Sequence, residues 1–244
     1  YLASVAADDL EYVHVAGGEP LLSTHFNKFA KSLIDSKNKN NLKLSYDTNG
    51  TTLPKDNILE LIKHVGELRV GISIDGLRGL QDYFRSGSNF DSVIENLNFY
   101  KQLKKDRIGS TSLSIQVTVN VYNVNTLPEI YEYFKTHHSE LNVNHRVLHW
   151  PEQLSIKNLP RDYKDLLLPM FTDDKFRDIQ MNLETEGKDL FNHFLNFHEK
   201  LNSIRNESLG NNNPILSDYI KNYKRESTDS QVFFLQQLNY LRNI

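Results

Sequence analysis

Apolar residues along this chain switch repeatedly between a two-residue and a three-to-four-residue spacing. Val13 and Val15 alternate with polar neighbours, which predicts a strand over Glu11–Ala16. Phe26, Phe29, Ala30, Leu33 and Ile34 then recur at helical spacing. Asn38–Asn41 punctuates, and Leu42, Leu44 and Tyr46 alternate into a second strand. Asp56 is placed to cap a helix whose apolar face is Ile58, Leu59, Leu61, Ile62 and Val65. A third strand is expected over Leu68–Asp75, and a helix around Val93, Ile94, Leu97 and Tyr100. Leu113–Asn120 is the clearest strand in the chain. Thr126-Leu127-Pro128-Glu129 reads as a capping-box start for a helix through Phe134, and Asn142–His149 closes the series as a fifth strand.

A regular β-α repeat implies parallel strands joined by right-handed crossovers. That leaves an open doubly wound sheet or a full or partial barrel, and the parity of the strands favours the barrel. Leu113, Ile115, Val117, Val119 and Val121 share one face, while Ser114, Gln116, Thr118 and Asn120 share the other. Leu68, Val70, Ile72 and Ile74 oppose Arg69, Gly71, Ser73 and Asp75 in the same way. A sheet covered by helices on both sides wants near-continuous apolar strands. One greasy and one polar face fits a curved sheet with helices outside and a polar cavity inside. The expected fold is therefore α/β, a partial (β/α) barrel over residues 1–155 with its function at the C-terminal strand ends.

After Trp150-Pro151 the pattern becomes helical: Pro160–Leu168, Asp174–Leu183, Lys188–Arg205, Ile215–Tyr223 and Gln231–Leu241. Residues 156–244 are expected to form a helical C-terminal extension packed on the barrel. The stripe of Leu190, Phe191, Phe194, Leu195, Phe197, Leu201 and Ile204 reads as core packing rather than a cofactor box.

Composition narrows function more than fold. With 39% hydrophobic and 24% charged residues, the chain reads as a soluble globular protein. A net charge of −3 gives no electrostatic case for nucleic acid. No apolar run is long enough to cross a bilayer and no signal-peptide pattern is visible, so a cytoplasmic location without a membrane partner is expected. Cysteine is absent, which excludes disulfides, thiolate zinc sites and cysteine-ligated clusters within these residues. The nine histidines are dispersed, and none forms an H-E-x-x-H arrangement; they read as surface and packing residues, and no metal site is expected.

The polar features gather at strand ends. Gly17-Gly18-Glu19 follows the first strand, Asp47-Thr48-Asn49-Gly50 the second and Ser73-Ile74-Asp75-Gly76 the third, while Asn120 ends the fourth. Singly, each is turn chemistry that needs no ligand. Four at one barrel end mark the rim where parallel strands bind ligands. The adjacent glycines let a ligand approach the backbone, and Glu19 places a carboxylate there that suits a cationic amine.

Together these residues resemble the radical S-adenosylmethionine (radical SAM) enzymes, over roughly the first 155 residues by pattern. The likeness is closest to the branch with a shortened auxiliary-cluster (twitch, SPASM-like) region, related to peptide- and protein-modifying maturases. Trp150-Pro151-Glu152-Gln153-Leu154-Ser155-Ile156, Leu159-Pro160 and Leu201-Asn202-Ser203-Ile204-Arg205-Asn206 add to it. The resemblance implies S-adenosylmethionine and a [4Fe–4S] cluster as cofactors. It matches Gly17, Gly18 and Glu19 to the strand end that binds the methionine amino group. Ser73 and Asp75 match residues facing the ribose and methionine, and Arg85 an arginine that pairs with the methionine carboxylate. Asn120 matches a ribose-contacting position, and Asn49 a residue lining the site. Without the resemblance, Arg85 reads equally well as a surface salt bridge.

One departure is large. The family's Cys-x-x-x-Cys-x-x-Cys loop and the strand before it have no counterpart here. The chain is either the downstream part of a longer protein or a degenerate relative that binds no iron, and the missing strand favours the first. The complete enzyme, as the resemblance implies it, would reductively cleave S-adenosylmethionine and abstract hydrogen from a peptide or protein substrate. Its electron would come from a donor such as a flavodoxin or ferredoxin, and this chain alone would be inactive. The alternatives are a cluster-free module binding S-adenosylmethionine or a peptide, and a barrel aldolase or hydrolase using Asp47 and Asp75.

Overall fold

The computed structural model describes residues 7–223. The helix expected over Gln231–Leu241 lies outside the described residues. The sheet has five strands: β1 (Tyr12–Val15), β2 (Lys43–Thr48), β3 (Glu67–Ser73), β4 (Ser110–Val119) and β5 (Asn142–Val147). Their spatial order is the chain order, β1-β2-β3-β4-β5, and the β1–β2, β2–β3 and β3–β4 pairs are parallel. A doubly wound sheet starts near its middle and reverses direction, which puts helices on both faces. Here β1 lies at an edge and every crossover steps the same way. Right-handed crossovers that never reverse keep the helices on one face, which is the topology of a barrel wall.

Side-chain parity then assigns the two faces. Leu44, Tyr46, Leu68, Val70, Ile72, Leu113, Ile115 and Val117 point outward and are buried. Burying one such side chain stabilises the fold by about 1.5–3 kcal/mol. The helices that cover this face are α1 (Thr24–Ile34), α2 (Asp56–His64), α4 (Phe90–Asp106) and α5 (Leu127–His137), and α3 (Gly79–Phe84) is a short extra turn after β3. Ser23 caps α1 by accepting from Phe26 N at 3.2 Å, and Asn89 caps α4 by accepting from Ser92 N at 2.9 Å. At the centre of the covered face, the Tyr46 ring lies 6.4 Å from Phe26 of α1 and its hydroxyl donates to Tyr100 of α4 at 3.3 Å. Burial pushes both phenols above their ordinary range.

Two helix starts differ from expectation. Asp56 is the first helical residue rather than the cap: Lys55 holds the cap position without a side-chain bond, and Asp56 sits at φ 48°. Thr126 closes a preceding 3₁₀ turn (Val124–Thr126), and its hydroxyl donates back to Asn123 O at 3.0 Å instead of accepting from α5. In both cases the loop before the helix sets the backbone of the residue expected to cap it. His145 lies inside β5, its Nδ1 2.7 Å from Tyr131 Oη.

The chain divides into two compact units, residues 1–118 with 129–146, and 119–128 with 147–244. The second contains α6 (Arg161–Leu167), α7 (Arg177–Glu184), α8 (Phe191–Arg205) and a helix over 214–223. Inside it, Tyr122 stacks edge-on against Phe194 with centroids 5.0 Å apart, and its hydroxyl lies 3.3 Å from His198 Nδ1. Asn213 donates to Tyr122 O at 2.7 Å and exchanges hydrogen bonds with Asn125 at 2.8 Å each way. Phe191, Phe194 and Leu195 of the expected α8 stripe are buried, but Ile204 is exposed, so the stripe ends before the helix does.

Candidate functional site

The expected residues of the first unit form two corners at adjacent strand ends. At the first corner, Gly17 and Gly18 follow β1 with φ of 99° and 40° and are exposed. A Cβ added at either would meet nothing within 4 Å, so glycine is needed here for backbone conformation rather than for space. Glu19 then caps a short 3₁₀ turn. Its Oε1 accepts from Leu21 N at 3.1 Å and Thr48 Oγ1 at 2.9 Å, and its Oε2 accepts from Asn49 N at 2.8 Å. The carboxylate thus ties the end of β1 to the end of β2. A carboxylate has about four acceptor positions. Three are filled, and the fourth lies on Oε2. The Asn49 side chain closes its own loop, accepting from Thr51 N at 2.9 Å and Thr51 Oγ1 at 2.7 Å.

The second corner belongs to β3 and β4. Thr48 pairs with Ile72 across β2 and β3, which sets Asn49 and Ser73 as the next residues of neighbouring strands. Asp75 follows Ser73 by two residues and is largely buried. Its Oδ2 accepts from both Arg85 Nε at 3.1 Å and Nη2 at 2.7 Å, while Oδ1 accepts from Thr118 N at 2.7 Å. Gln81, fully buried, holds the loop from below: Oε1 accepts from Asp75 N at 2.8 Å and Gly76 N at 3.2 Å. Arg85 is 29% exposed. Two of the five guanidinium donors are engaged by Asp75, which leaves three.

Asn120, the eighth expected residue, belongs to the second unit and is described there. It makes an Asx turn at the end of β4: Oδ1 accepts from Tyr122 N at 3.0 Å, and its own N donates to Asn123 Oδ1 at 2.8 Å. Asp75 does not stand beside Asp47 as a free carboxylate pair, because Arg85 occupies it.

Three residues that position this site were not singled out in the sequence: Thr48, Gln81 and Thr118. Thr48 carried a visible signal, since it breaks the outward series Leu42, Leu44, Tyr46 with a hydroxyl and is nonetheless buried. Gln81 and the Thr118 amide carried none.

Below the two corners, the inward strand face lines a groove of about 490 Å³ that includes Ser73. A separate cleft of about 540 Å³ lies in the second unit, beside Leu159, Lys164, Thr185, Phe191 and Tyr223. Lys164 is buried there, donates to Lys157 O at 2.6 Å and Thr185 O at 2.8 Å, and burial lowers its pKa. Among the described residues, no three of His, Cys, Asp or Glu converge as metal ligands, and no helix is long and apolar enough to cross a membrane.

The model of the Radical SAM superfamily matches residues 2–134, over half of the chain. A probable GTP 3′,8-cyclase of Methanococcus maripaludis is 28% identical over 137 residues, covering 54% of this chain and 43% of the relative. The Fe-coproporphyrin III synthase of Methanosarcina barkeri is 26% identical over 118 residues, covering 48% and 27%. The chain therefore spans less than half the length of these curated relatives. Among solved structures, native anSMEcpe with bound AdoMet aligns at 20% identity with a TM-score of 0.45, covering 80% of this chain and 53% of that one.

Proposed function

Because the chain belongs to the radical SAM superfamily, we propose that its strand-end mouth holds S-adenosylmethionine, with the amino-acid end of the nucleotide at the Glu19 corner. The observation that carries this reading is the Glu19 carboxylate, fixed by three hydrogen bonds with one acceptor position left, beside two exposed glycines. That arrangement suits an ammonium: it offers a charge, a lone pair and nearby backbone groups without a side chain in the way. Arg85 retains donors for the methionine carboxylate while Asp75 fixes the direction of its fork. Ser73 and Asn49 flank the space, and Asn120 is carried as a ribose contact on the resemblance alone. S-adenosylmethionine held there would supply a C5′–S bond whose cleavage, by one electron from a donor outside this sequence, would release methionine and leave the deoxyadenosyl group to take a hydrogen atom from a substrate C–H bond.

The cluster does not fit this chain. It has no cysteine, and no alternative ligand set converges among the described residues. In the proposed complete enzyme, the thiolates lie outside this sequence. A second reading, a cluster-free module that binds S-adenosylmethionine or a peptide, draws on the same absence of cysteine. Titration calorimetry with S-adenosylmethionine separates the two. Affinity that rises when the full-length protein is reconstituted with iron and sulfide supports the enzyme. Affinity indifferent to iron, with no cluster absorbance, supports the module. No binding by either form refutes both.

A further inference from the structure

The second unit buries a cation without burying an anion beside it. Lys164 of α6 is 3% exposed, a degree of burial that lysine almost never reaches unless paired. Its ammonium donates to Lys157 O at 2.6 Å and Thr185 O at 2.8 Å, and it meets no carboxylate among the described residues. An ammonium has three donors, so one is left. A Cβ at Gly187 would collide with Lys157 O, so the glycine is what lets the loop after α7 close against the carbonyl that Lys164 meets. The backbone here is built around a charge, not around an ion pair. Burying an uncompensated charge is costly, and a buried donor left over marks a place where a further acceptor fits. Burial lowers the pKa of Lys164, as do the neighbouring Arg161 and Lys157 charges, while Glu186 raises it. A bound anion would favour the charged form that burial disfavours.

Lys164 lines the cleft of about 540 Å³, a volume in the range that holds small ligands. One side of the cleft is apolar: Leu159 and Phe191 are buried, and the Phe191 ring meets Tyr223 edge-on with centroids 4.8 Å apart. The remaining charges of the lining sort what can enter. Arg161 is paired with Asp165 at 2.8 Å and Lys188 with Glu152 at 2.8 Å, so neither adds an open cation. Glu184, Glu186 and Asp189 are exposed and have no ion pair among the described residues. Three negative charges around a single open donor repel a phosphate or a polycarboxylate more strongly than a single carboxylate. We infer that this cleft binds a small monocarboxylate with an apolar body, its carboxylate on Lys164 Nζ and its body against Leu159, Phe191 and Tyr223. The charge-assisted hydrogen bond orients the ligand, and the aromatic pair supplies the buried area. The cleft shares no residue with the strand-end mouth, so this inference goes beyond the proposed function and stands or falls without it.

The test uses 3-phenylpropionate, its uncharged counterpart 3-phenylpropionamide and inorganic phosphate, each titrated into the chain by NMR at pH 7. The carboxylate should bind about tenfold more tightly than the amide, the effect of one charge-assisted contact, and phosphate should not bind. Lys164→Met should erase the preference for the carboxylate. Tyr223→Ala should weaken carboxylate and amide alike and leave their ratio unchanged. Circular dichroism reports whether each variant is folded. The amide signals of Thr185 and Gly187 in the unsubstituted chain locate the ligand without any variant, and they should move on adding the carboxylate. Equal affinity for carboxylate and amide overturns the inference, as does absence of binding by both. It is equally overturned by phosphate binding as tightly as the carboxylate, by Thr185 and Gly187 signals that stay still, or by a folded Lys164→Met chain that keeps the preference.

Discussion

Two carboxylates, one after β1 and one after β3, do opposite jobs. Glu19 gathers three hydrogen bonds from neutral donors and has no counter-ion among the described residues. Asp75 meets a guanidinium fork and a backbone amide, so its charge is balanced within the protein. The same functional group keeps an open acceptor position in one corner and braces an arginine in the other. Whether a strand-end acid is free for a ligand depends on what sits within reach, here an arginine ten residues downstream on the loop after α3.

The largest effect expected from breaking this contrast is at the brace. Asp75→Ala strands the Arg85 guanidinium and removes the acceptor of Thr118 N. It should cost about 2–3 kcal/mol, read by urea denaturation. Arg85→Ala should likewise lower stability, because it leaves Asp75 largely buried without its cation. Glu19→Gln should cost less: the amide oxygen still accepts from Leu21 N and Thr48 Oγ1, but its NH2 cannot accept from Asn49 N, a loss of about 1 kcal/mol that thermal melting should read as a fall of about 2–4 °C. Its affinity for S-adenosylmethionine should fall about tenfold, the effect of losing one charge-assisted contact of ~1.4 kcal/mol. Calorimetry that finds equal affinity in the variant would reverse the roles given to the two corners.

Smaller effects sharpen the picture. Gly17→Ala forces a Cβ onto a φ of 99°, and thermal melting should show a loss of about 1 kcal/mol with no steric clash to add to it. On the covered face, His138 is buried and its Nδ1 lies 3.3 Å from Lys101 Nζ; burial, then that ammonium, lowers its pKa. Its folded value lies below its unfolded value, so unfolding takes up a proton at acid pH. The stabilisation is therefore complete above about pH 6.5 and declines as pH falls below it. Between pH 7 and 5, His138→Gln should lose less stability than the unsubstituted chain, read by urea denaturation at the two pH values.

Much of this was legible in the residues. Alternation located all five strands to within about three residues, because one face of each is covered by helices and the other is polar. α3 was not legible: six residues starting at glycine make too short a window for periodicity. The two mistaken caps had the right residue types, but a positive φ at Asp56 and a 3₁₀ turn at Thr126 are set by the preceding loops. At the site, the pattern of strand-end residues located Glu19, Asn49, Ser73 and Asp75 on adjacent strands. It carried no information on which acid would be neutralised, since Arg85 reaches Asp75 only through the turn and short helix between them.

The central claim is that the amino-acid end of S-adenosylmethionine seats at the Glu19 corner. Amide chemical shifts of Gly17, Gly18 and Asn49 test it most directly. They should move on adding S-adenosylmethionine or S-adenosylhomocysteine, which share the amino and carboxylate groups, and stay still with 5′-methylthioadenosine, which lacks them. Equal shifts with all three ligands, or none with any, would contradict the account.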